Sequence, residues 1–77
     1  MTYFVYTNIQ QRDGVVGHTS TNYTHIEDAK MAYHAQLASQ YHPDNRANNQ
    51  WATVQLVEQT GRVVLTETAT FEETVSE

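Results

Sequence analysis

One stretch limits what this chain can become. Thr24 to Tyr41, THIEDAKMAYHAQLASQY, is the only segment with a sustained helical pattern, and strand-like and turn-like residues flank it on both sides. Thr24 and Glu27 have capping-box spacing, which predicts a helix start at Thr24. Glu27 and Asp28 put negative charge where the helix dipole favours it. Ala29, Ala32, Gln36, Leu37 and Ala38 are good helix formers, and Pro43 ends the run because the residue before a proline is pushed out of helical geometry. At 100° per residue Ile26, Ala29, Tyr33, Leu37 and Tyr41 share one stripe, the face expected to be buried. Met31, Ala35 and Ala38 make the opposite side less polar than a solvated helix needs.

The flanks alternate with a period of two. Thr2 to Gln10 is rich in aromatic and β-branched residues and reads as a strand, with Tyr3, Val5, Thr7 and Ile9 on one face and Phe4, Tyr6 and Asn8 on the other. Asp13-Gly14 supplies the turn, and Val15 to Asn22 returns as a polar, threonine-rich edge strand weakened by Gly17. After a polar loop, His42 to Gln50, Trp51 to Gln59 and Arg62 to Thr70 form a second strand pair around Thr60-Gly61. The expected architecture is α+β, a ββαββ chain with one helix packed on a four-stranded antiparallel sheet. A right-handed crossover over the first strand gives the spatial order 2-1-3-4. Residues 1–70 form the single domain, and 71–77 form an acidic, frayed tail.

One helix covers one sheet face. The set expected beneath it is Val5, Ile9, Val54, Leu56, Val63 and Leu65. The other face then presents Phe4, Tyr6, Trp51, Val57 and Val64, too aromatic an area to leave in water. A chain of 77 residues buries only about 60% of its unfolded surface. With no cysteine there are no disulfides and no thiolate metal site, so association is the stabilising device that remains, and a homodimer is expected.

Charge narrows the choice of partner. The net charge is −5, and Arg12, Lys30, Arg46 and Arg62 stand singly, so no basic stripe could follow a phosphate backbone. Direct nucleic-acid binding is therefore not expected. The N-terminus lacks a signal-peptide pattern, no apolar run approaches the length of a membrane span, and the absence of cysteine suits the reducing cytoplasm.

Catalytic patterns are missing. His18, His25, His34 and His42 do not have the spacing of three or four that a helical metal pair needs. Glu58 and Glu67 could approach each other across the second hairpin and share a proton. Ser20 and Ser39 sit in no nucleophile elbow, and Gly14, Gly17 and Gly61 form no phosphate loop. No metal, cofactor or catalytic residue is assigned.

Size and composition give the general look of a short accessory reading frame of a phage or mobile element. The leading expectation is a non-catalytic protein-interaction module. It would inhibit a nucleic-acid-handling host enzyme by laying Glu58, Glu67, Glu72, Glu73 and Glu77 on a basic surface. The alternative is a nucleotide-like small ligand stacked on Tyr and Trp side chains at a subunit interface.

Overall fold

The computed structural model describes residues 1–71. Six elements follow one another along the chain: β1 Tyr3–Gln11, β2 Val16–Tyr23, α1 Ile26–Gln40, α2 Pro43–Asn48, β3 Asn49–Glu58 and β4 Val63–Thr70. The strands form one antiparallel sheet in the order β2-β1-β3-β4, and α1 packs on one of its faces. The α+β fold and the strand order are those expected from the sequence.

Each hairpin closes on a glycine that only a residue without Cβ adopts readily. Gly14 has φ 91° and Gly61 has φ 93°. At the first turn Gly14 N–H donates to Gln11 O at 2.9 Å, and Asp13 Oδ1 accepts from Val15 N–H at 3.0 Å. At the second, Gly61 N–H donates to Glu58 O at 2.8 Å.

The core lies between α1 and the sheet. Val5, Val54 and Leu56 are buried from below and Ala29 and Tyr33 from above, with Tyr3, Tyr23, Ala32, Leu37, Val64 and Leu65 packed around them. Register explains the selection. Val5 pairs with Leu56 and Thr7 with Val54, so alternate residues of the two central strands reach the same face.

Three expectations are corrected here. The first concerns Val63 and Val64. The β3–β4 register shifts between Leu56 and Val57, so that Leu56 pairs with Leu65 but Val57 pairs with Val63. A bulge inserts one residue and exchanges the faces beyond it. Val64 therefore packs against the helix-side core, while Val63 is 46% exposed.

The second concerns the helix start. Strand β2 runs on to Tyr23, paired with Tyr3, and α1 begins at Ile26 with His25 as its N-cap. No side chain caps it, so Thr24 stands one residue outside the capping position and the expected box does not form.

The third concerns the helix end and the loop. The helix stops at Gln40, with Tyr41 as an exposed C-cap rather than a buried stripe residue. Pro43 then opens α2, because a fixed φ and a missing N–H suit the first helical turn. Asn45 Nδ2 donates to Ser39 O at 2.7 Å and ties α2 to the end of α1. Arg12 Nε donates to Ala47 O at 3.1 Å and holds the first hairpin against it. Strand β3 consequently starts at Asn49, which is buried and faces Gln11.

Candidate functional site

Among the described residues both helices leave one sheet face uncovered. Strand alternation places Phe4, Tyr6, Asn8 and Gln10 on it from β1, with Trp51, Thr53, Gln55 and Val57 opposite them on β3. Val16, His18, Ser20 and Asn22 extend it across β2. Val63, Thr66, Thr68 and Thr70 complete it on β4. None of these side chains is Asp, Glu, Lys or Arg, although the chain carries nine acids and four bases.

The centre of this face is ordered by its own contacts. Phe4 and Tyr6 stack with centroids 6.0 Å apart and an interplanar angle of 20°. Trp51 Nε1 donates to Gln10 Oε1 at 3.0 Å, and Thr53 and Thr68 share a hydroxyl hydrogen bond of 2.9 Å. Phe4, Tyr6, Trp51 and Val57 are half-buried, whereas Val16 is 64% exposed. Four of the five apolar positions expected here are therefore together, and Val63 stands in for Val64.

Among the described residues the acids are not gathered. Asp13 lies in the first turn, Glu27 and Asp28 in the first turn of α1, and Asp44 in the first turn of α2. Glu58 ends β3, opposite Tyr3, and accepts from Thr60 Oγ1 at 3.3 Å. Glu67 is opposite Val54, on the helix side of β4. Glu58 and Glu67 are thus not cross-strand partners and cannot share a proton. Glu72, Glu73 and Glu77 lie outside the described residues, as does the tail expected over 71–77 apart from Phe71. Phe71 N–H donates to Gln50 O at 2.9 Å and its ring meets Tyr41 edge-on at 5.9 Å.

Glu67 accepts from the Tyr41 hydroxyl at 3.0 Å. That hydrogen bond holds the Tyr41 phenol above its ordinary pKa. Burial does the same for Tyr33, helped by the Glu67 charge. Both shifts favour the neutral phenol, the opposite of what a phenolate base or nucleophile needs.

The histidines are dispersed. His18 is on β2, His34 meets the Tyr33 ring edge-on at 5.1 Å, His25 holds the N-cap position of α1 without a side-chain hydrogen bond, and His42 caps α2 by accepting from Asp44 N–H at 3.2 Å. Among the described residues no three of His, Cys, Asp and Glu converge as a metal site would require. No helix among them is long and apolar enough to cross a membrane.

A second feature escapes the sequence pattern. Between the C-terminal half of α1 and the β1–β2 pair is a cleft lined by Thr7, Ile9, Gly17 to Thr19, Gln36 and Gln40. In sequence Gln36 reads only as a helix former, and Gln40 carries no assignment. The available signal was their spacing of four, which stacks them on one side of the helix. Compared with family models, curated proteins and solved structures, the chain matches none.

Proposed function

We propose that this protein is a non-catalytic association module that pairs with a second copy of itself through the open sheet face. The observation that carries the reading is the charge distribution. Two copies with a net charge of −5 repel each other, and the open face is the broad surface where contact buries no charge. Stacked there, Phe4, Tyr6, Trp51 and Val57 would leave water, while the Asn, Gln, Ser and Thr side chains offer both donors and acceptors to their counterparts.

Size is adequate for the proposal. Strands of eight residues rise about 26 Å, and four of them at about 4.8 Å spacing span about 19 Å, or about 500 Å² in plan. Accessible area exceeds plan area on a surface studded with side chains, which moves it toward the roughly 800 Å² per partner of a standard interface. Such a dimer turns α1, with Glu27 and Asp28 in its first turn, outward on both sides, available to a further partner. The absence of cysteine suits a reducing cytoplasm.

Sedimentation equilibrium tests the proposal. Wild type at about 100 µM is expected at twice its 8.8 kDa chain mass. The double variant Tyr6→Lys, Val57→Glu, which places charges on both central strands of the face, should sediment as a folded monomer with an unchanged circular-dichroism spectrum. A monomeric wild type, or a variant that stays dimeric, would overturn it.

A further inference from the structure

The cleft above β1 and β2 carries an inference independent of the open face. Its volume is about 260 Å³. Two of its polar walls are unusual. Thr7 is 6% exposed and Gln40 is 8% exposed, so each is more than nine-tenths buried. Neither side chain has a hydrogen-bond partner among the described residues, yet no polar atom sealed from solvent is left unpartnered. The Thr7 hydroxyl and the Gln40 amide therefore open into the cleft. A partner entering this space meets a hydroxyl and an amide whose hydrogen-bonding capacity no group among the described residues uses, so it is selected by polar matching as well as by shape.

The lining also says what kind of molecule fits. No Asp, Glu, Lys or Arg contributes to it. The walls from α1 lie in its C-terminal half, toward the negative end of the helix dipole, which disfavours a phosphate or carboxylate. Gln40 presents a donor and an acceptor side by side, the arrangement that pairs two-point with a ligand edge bearing an acceptor next to a donor. Thr7 adds a third polar contact. Gly17, which has no side chain, and Ile9 supply an apolar floor.

We infer that this cleft is a binding site for a small neutral heterocycle with an amide-like edge, of nucleobase size, held by the Gln40 amide and the Thr7 hydroxyl. Gln36 and Thr19 border the mouth. Gly17 keeps it open. A Cβ built at that position comes 3.4 Å from Ile9 Cγ1, an ordinary contact, so alanine fits the fold while reducing the space.

Amide-resolved NMR titration with uracil and with adenine tests this, with glucose and inorganic phosphate as parallel arms. Saturable shifts are expected from at least one nucleobase, confined to Thr7, Ile9, Gly17 to Thr19, Gln36 and Gln40. Gln40→Leu and Thr7→Val keep the shape and remove the polar atoms, so both should fold with unreduced thermal stability. Each should raise the dissociation constant at least about tenfold, and Gly17→Ala should weaken binding as well. Failure of both bases to shift these amides at about 10 mM would overturn the inference, as would affinity unchanged in Gln40→Leu. Binding of glucose or phosphate in place of the bases would reject the assigned ligand class.

Discussion

Tyr33 shows how much one side chain depends on its setting. In the sequence it belongs to an apolar stripe, and it is indeed buried, 4% exposed, against Val5, Val54 and Leu56. Burial and the Glu67 carboxylate raise its pKa above the ordinary tyrosine value. The folded state therefore holds the phenolic proton more tightly than the unfolded chain does. The stability this confers is fully present below about pH 10, the unfolded tyrosine value, and is lost as pH rises through the higher folded value. Tyr41, hydrogen-bonded to Glu67, acts in the same direction. Urea midpoints should be flat from neutrality to about pH 9.5 and fall beyond it, and the fall should be smaller in Tyr33→Phe. An equal alkaline loss in that variant would show that Tyr33 does not couple folding to the proton. The residue-scale errors of sequence reading have a common cause. Val63 and Val64 differ only in position, and alternation assigns them to faces only if no residue is inserted. The bulge beside Val57 is a pairing feature that involves two strands, so neither strand alone reveals it.

The elements themselves were legible because period and turn chemistry are local. Alternation marked four strands, Asp13-Gly14 and Thr60-Gly61 marked two hairpins, and a long run without glycine or proline marked α1. What escaped was set by contacts between elements. The pairing of Tyr23 with Tyr3 carries β2 further than its own residues suggest and displaces the helix start from Thr24 to beyond His25. Pro43 stops one helix and starts another, and the hydrogen bonds from Asn45 Nδ2 and His42 N–H to Ser39 O join the second to the first. The displaced start gives an opportunity. His25 has φ −118° and ψ 134°, already the extended geometry of an N-cap, but its side chain caps nothing. His25→Ser would add a hydroxyl able to accept from a free N–H of the first turn, worth about 0.5–2 kcal/mol. For a domain of this size each kcal/mol moves the melting temperature by about 4–8 °C. A rise is expected from His25→Ser, and almost no change from Thr24→Ala. If Thr24→Ala costs about 1 kcal/mol instead, the capping box inferred from sequence exists after all.

At the scale of the whole molecule, the candidate surfaces differ in what salt should do to them. An acidic site laid on a basic partner gains from Coulomb attraction and weakens as ions screen it. In the proposed dimer the open face brings no Asp, Glu, Lys or Arg side chain into contact, so charge would enter through the repulsion between two copies at −5 each. Raising ionic strength from about 0.1 M to about 1 M shortens the screening length from about 10 Å to about 3 Å. That reduces the repulsion and leaves the face untouched. Self-association should therefore tighten with added sodium chloride at neutral pH, where an ionic contact would loosen. Sedimentation equilibrium at the two salt concentrations measures this directly. A dissociation constant that rises with salt would mean that charged side chains from elsewhere on the fold hold the copies together, and the sheet face would lose its role.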